Sequence, residues 1–173
     1  MAENQNVLHA VQAALGYSFR DPQILAAALT HASTADSRLR SNERMEFLGD
    51  AILGMVVCLE LYHQFPDYLE GELTKIKSAV VSRHTCARIA RDLGLMDHVF
   101  IGKGMGGRSQ LPQSLAAALY EAVIAAIYLD AGELEPARQF ILRTMMPHIR
   151  EAAASQHQFN YKSQLQQLSL IHI

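Results

Sequence analysis

The sequence predicts an all-α domain, and three observations carry that reading. Apolar residues recur at helical spacing through most of the chain, no segment sustains the two-residue alternation of a strand, and Gly and Pro fall where helices should stop. The 173 residues, half of them hydrophobic and 18% charged, are enough for one domain with a real core and a short appendage.

Each element follows from local signals. "VLHAVQAALGYSF" has helical spacing and a stop at Gly16. In "RDPQILAAALTHAS", Asp21 is placed to cap a helix and Pro22 to occupy its first position. "SNERMEFLGDAILGMVVCLELYHQF" predicts a long helix, capped by Ser41 or Asn42 and ended before Pro66. "LEGELTKIKSAVVSRHTCARIARDLGL" predicts one or two helices that close at Gly94, and "GKGMGGRSQLP", with four glycines between Gly102 and Gly107, a flexible loop. A helix over Ser114–Asp130 follows, then one from about Pro136 to Ala154 with a bend or break at Pro147. The main unit spans 5–152, "ASQHQFN" within 153–160 reads as a linker, and 161–173 begins a second module.

Composition excludes several classes of function. A formal net charge of −2 gives no bulk signal for a polyanionic partner, so such a partner needs a locally basic face. The longest unbroken apolar run, "AILGMVVCL", is about half a membrane span, and no secretory leader pattern opens the chain. Cys58 and Cys86 form no CxxC pair and read as buried free thiols; with these features the expected location is the cytoplasm, without a membrane. "GKGMGG" lacks the spacing and the Lys-Ser/Thr end of a P-loop, so no nucleotide cofactor is expected, and the eight histidines show no metal-ligand spacing.

The chemistry lies in carboxylates set among apolar residues. In "SLAAALYEAVIAAIYLD", Glu121 is the one charge between Ser114 and Leu129, and an ionised carboxylate in a buried helix must be paired, protonated or metal-bound. Glu43, Glu46 and Asp50, at i, i+3 and i+7, share a face of the long helix. Two helices lending carboxylates to one site suit a hard divalent cation such as Mg²⁺, which takes oxygen ligands at about 2.1 Å and keeps several waters. The competing reading pairs Glu43 and Glu46 with Arg40, Arg44 or Lys75.

"NERMEFLGDAIL" resembles the signature of the ribonuclease III family, endonucleases of double-stranded RNA. "LGYSFRDPQILAAALTHAS", "LEGELTKIKSAVVS", "LGL…GKG" and "YEAVIAAIYLDAG" extend the resemblance, in order, over roughly Val7 to Gly132. It implies a helical, dimer-forming nuclease domain that cuts duplex RNA with Mg²⁺, or Mn²⁺ in its place, leaving 5′-phosphate and 3′-hydroxyl ends, with ribosomal-RNA precursors among the substrates. It implies that Asp50 and Glu121 are catalytic, that Glu46, Asp50 and Glu121 bind the metal, and that Glu43 and Glu70 are accessory acids. Lys75, Lys77, Arg83, Lys103 and Arg108 are candidate phosphate contacts on an RNA read mainly by shape.

One position departs from the family pattern: Ala118 stands where an Asp three residues before the last catalytic Glu is expected. A Gly common in the family is Ala125. The loss at Ala118 supports an alternative, a non-catalytic RNA-binding or ribosome-associated relative. "FNYKSQLQQ" resembles the start of a double-stranded-RNA-binding domain, of which only the first residues are present, and "LSLIHI" (Leu168–Ile173) matches a reading frame of a sequencing-library adapter and is a candidate non-native end.

Overall fold

The apolar helix Gln113–Ala131 (α6) is the element around which the others pack. In the computed structural model, which describes residues 2–102 and 111–171 and the side chains of 5–102 and 111–156, α6 is surrounded by Pro22–Ala28 (α2), Glu43–Gln64 (α3), Arg83–Asp92 (α5) and Leu134–Ile171 (α7). Ala2–Leu15 (α1) and Glu70–Val80 (α4) complete the helices. By length and apolarity alone Gln113–Ala131 could cross a bilayer, yet 67% of that stretch is buried against its neighbours. Its burial is that of a core helix: Leu119, Tyr120, Val123, Ile124 and Ile127 are all 0% exposed. The Tyr120 hydroxyl shares a 2.6 Å hydrogen bond with Thr144 Oγ1 of α7, so the ring is buried without leaving its polar atom unpaired.

The all-α expectation holds. Among the described residues no strand forms, and one isolated parallel bridge joins Thr30 to Phe100. Asp21 caps α2 by accepting the Gln23 N–H at 2.9 Å, with Pro22 next in line. At the start of α3 Asn42 occupies the cap position without a side-chain bond, and the Ser41 hydroxyl takes the Glu43 N–H at 3.4 Å. The 69–95 segment resolves into two helices because Ser82 interrupts it, capping α5 through the Thr85 N–H. Gly132 ends α6 in the left-handed region at φ +73°, where a Cβ is disfavoured.

Three local expectations need correction. Pro147 does not end the last helix: it forfeits one backbone hydrogen bond, but Met145, Ile149 and Ala153 on either side are buried and hold α7 on course. The helix also runs past its expected end at about Ala154, since no Gly or Pro lies between His148 and Ile171 to stop it. Finally, Cys58 is exposed on the outer face of α3, whereas Cys86 is fully buried and its thiol is pushed up to about 12 by that burial.

Candidate active site

The site is made where α3 crosses α6. A Cβ built on Gly49 would lie 1.8 Å from the Glu121 carbonyl oxygen, so the two backbones meet at a point that only glycine permits. That contact sets Glu46 and Asp50, either side of Gly49, on one wall of a cleft, and Glu121 on the facing wall. Glu43, Arg83 and Ala118 also line this cleft, whose volume is about 630 Å³.

Glu121 is therefore not sealed inside the core. It is half-buried between residues that are fully covered, and its carboxylate opens into the cleft. Burial pushes its pKa up to about 7, the charges of Asp50 and Glu46 add to the rise, and Arg83 opposes it. Glu46 is raised as well, first by burial and then by Glu43, with Asp50 adding and Arg83 again opposing. Glu43 differs. Arg38 holds it bidentately, at 2.8 and 3.2 Å, and its pKa is lowered chiefly by that hydrogen bond. Its partner is thus Arg38 and not the expected Arg40, Arg44 or Lys75; Arg40 pairs with Asp36 instead.

The remaining sequence candidates spread out. Glu70 opens α4, accepts the Thr74 hydroxyl at 2.7 Å and lies outside the cleft. Lys75 lines a separate groove of about 540 Å³ with His84, Arg88 and His148. There Arg88 is already engaged, at 2.5 Å by His148 Nδ1 and at 3.8 Å by Glu151. Lys77 is half-buried on α4 and lines neither cavity. Lys103 and Arg108 lie outside the described residues.

Sequence reasoning missed two features of the cleft. Gly49 sits in the middle of the signature, and its value as a crossing point shows only once both helices are placed. Ser114 lies two turns before Glu121 on the same face and brings a hydroxyl to the wall; the i, i+4, i+7 spacing of Ser114, Ala118 and Glu121 was the available signal.

The donor set suits a hard cation: carboxylate oxygens that repel one another, in a cleft where Glu46 and Glu121 have no ion pair within 4.0 Å among the described residues. Among the described residues no three His, Cys, Asp or Glu side chains are gathered tightly enough to ligate one ion as they stand. Glu46, Asp50 and Glu121 line one cleft but would share a cation only with water completing the octahedron, as Mg²⁺ allows.

Comparison with known proteins gives a consistent set of relatives. A family model described as Ribonuclease-III-like matches residues 21–149. Ribonuclease 3 of Rhodopirellula baltica is 48% identical over 158 residues, covering 91% of this chain and 59% of the relative. Ribonuclease 3 of Symbiobacterium thermophilum is 45% identical over 156 residues, covering 89% and 66%. The chain thus spans roughly three fifths to two thirds of the length of these curated relatives. Among solved structures, a nuclease domain of ribonuclease III from Campylobacter jejuni, described for flexibility in its dimer-forming region, superposes with a TM-score of 0.74 at 37% identity, covering 80% of this chain and 96% of that one.

Proposed function

This chain belongs to the ribonuclease III family, and from that premise we propose that it is an endonuclease of double-stranded RNA that works as a homodimer with divalent metal ions. The observation that supports this reading best is the meeting of Glu46, Asp50 and Glu121 in one solvent-open cleft at the Gly49 crossing. Glu46, Asp50 and Glu121 would hold Mg²⁺, or Mn²⁺ in its place. When bound, such an ion activates water and stabilises charge on the phosphodiester during in-line displacement. The protein's own part is to fix the three carboxylates on two rigid helices and to keep Glu121 half-desolvated, where its attraction for a cation is strongest. Products would carry 5′-phosphate and 3′-hydroxyl ends, and the substrates would include ribosomal-RNA precursors.

The dimer reading rests on the outer face of α3. Phe47 is 81% exposed and Tyr62 69%, with Met55 and Leu59 between them, an apolar stripe unusual for an isolated subunit. Phe47 itself lines a cavity whose walls mix apolar residues (Leu39, Met45, Leu48, Leu129) with Arg40, Glu43 and Arg44, and we read this face as the one that meets a second copy. In this chain 161–173 is read as the start of a double-stranded-RNA-binding module, with the helical 153–160 as the connection.

The non-catalytic alternative rested on Ala118, and it is not favoured: the other three carboxylates still share the cleft, and Ala118 leaves room beside them. The test is cleavage of a long RNA duplex across Mg²⁺ and Mn²⁺ concentrations by wild type and Glu121→Ala. Wild type should cut and the variant should not; equal cleavage would remove Glu121 from the mechanism.

A further inference from the structure

Among the described residues, one cation lines the cleft as well as its acids. Arg83 is the first residue of α5, its side chain is exposed, and it lines the same cavity as Glu46, Asp50 and Glu121. Its charge lowers the pKa of both Glu46 and Glu121, so it is near enough to be felt by each. Yet among the described residues it makes no ion pair within 4.0 Å with either. Arg38 is in the opposite state: it is bound to Glu43, which lines the same cleft.

An arginine that served only to neutralise the acids would close onto one of them, as Arg38 does. An arginine left open in an acidic cleft has a different use. Duplex RNA enters as a string of phosphates, and a wall of carboxylates repels each of them. A divalent ion reverses part of that repulsion; a guanidinium with a planar fork of donors matches the remaining phosphate oxygens. Apart from Glu121, the described α6 wall presents Ser114, Ala117 and Ala118, small side chains that leave the cleft unobstructed.

We propose that Arg83 is a phosphate clamp of this cleft: its guanidinium grips the nonbridging oxygens of the RNA phosphate that sits against Glu46, Asp50 and Glu121. This rests on the duplex-RNA nuclease reading above and makes it more specific. Arg83 then acts in two directions at once. It holds the substrate and, by its positive charge, weakens the hold of the carboxylates on the metal ion. A residue that merely supported the fold would not separate these effects.

The experiment compares wild type, Arg83→Gln and Arg83→Lys in three measurements. Mn²⁺ binding to RNA-free protein, followed by electron paramagnetic resonance, should tighten roughly threefold or more in Arg83→Gln, because one repelling charge has gone. Binding of a duplex RNA in chelator, across a salt series, should weaken, with the salt slope reduced by about one. Cleavage with Mg²⁺ should fall roughly tenfold or more in kcat/KM. Arg83→Lys should keep the wild-type Mn²⁺ affinity and salt slope and recover cleavage only in part, since it restores the charge without the fork. Weaker Mn²⁺ binding by a folded Arg83→Gln, or RNA binding and slope equal to wild type, overturns the assignment. If Arg83→Gln fails to fold, the decision falls to Arg83→Lys, and cleavage by it at the wild-type rate overturns the assignment too. A wild type that neither binds nor cuts duplex RNA overturns the nuclease reading itself and the clamp with it.

Discussion

Two carboxylates on α6, nine residues apart, are treated in opposite ways by the fold. Asp130, near the C-terminal end, is 8% exposed and receives three donors: the backbone N–H of Arg20 at 2.9 Å, that of Asp21 at 2.9 Å, and the Tyr17 hydroxyl at 2.8 Å. Burial works to raise its pKa, and the donors outweigh it, so the net shift is down. Among the described residues Glu121 receives no such donors and faces two other acids, and its pKa goes up to about 7. The donors at Asp130 tie the turn after α1 to the end of α6, which makes it a structural carboxylate. Glu121 is held unstable by comparison, and a group so shifted in a cleft is a candidate for the proposed metal site.

The largest effect should come from the point where structure and site coincide. Gly49→Ala drives a Cβ into the Glu121 backbone oxygen, a contact of 1.8 Å that no side-chain rotation can relieve. We expect a loss of about 3 kcal/mol or more in stability, from overpacking between two backbones, together with loss of cleavage. Urea unfolding and a cleavage assay check both; a variant as stable as wild type would show that the helices can part at no cost.

Glu121→Gln and Asp130→Asn should then split along the comparison. Glu121→Gln should lower cleavage on the order of 10³-fold, the loss of several kcal/mol of transition-state stabilisation, while the melting temperature of the metal-free protein stays the same or rises. Asp130→Asn should cost about 2 kcal/mol, because a charged acceptor shared by three donors becomes a neutral one, while cleavage per folded molecule stays close to wild type. The opposite pairing of effects would mean that the two residues have been assigned the wrong way round.

How much of this could be read from the sequence follows from the same pair. The helices were legible because capping and stop signals are local: Asp21 before Pro22, Pro66 after α3, Gly94 and Gly132 at helix ends. The acids were legible because a charge among apolar residues is conspicuous. What separates Glu121 from Asp130, however, lies in Tyr17, Arg20 and Asp21, more than a hundred residues away in sequence, and no spacing rule reports it. The exposure of Cys58 escaped for a related reason. An apolar run such as "AILGMVVCL" does not say which of its faces is left uncovered, and here Met55, Cys58 and Leu59 lie outside. Pro147 misled because a breaker signal is local, whereas the packing of Met145 and Ile149 that overrides it is not.

The smallest and most discriminating effect is in pH. Glu121 has a folded-state pKa near 7 against a reference of 4.5, so between those values the folded protein binds a proton that the unfolded chain does not. Metal-free protein should therefore gain stability from this residue as pH falls from above 7 toward 4.5, and Glu121→Gln should abolish that gain. Asp130 has the opposite sign. Its folded pKa lies below the reference of 3.8, so its contribution is complete above that reference and is lost as pH falls through the folded value. Protons and Mg²⁺ compete for the same oxygens of Glu121, so metal affinity should decline as pH drops below about 7. Chemical unfolding of the metal-free protein at several pH values, with and without each substitution, measures both slopes. If Glu121→Gln leaves the slope between pH 7 and 4.5 unchanged, the carboxylate is already satisfied in the fold, and the distinction drawn between the two ends of α6 does not hold.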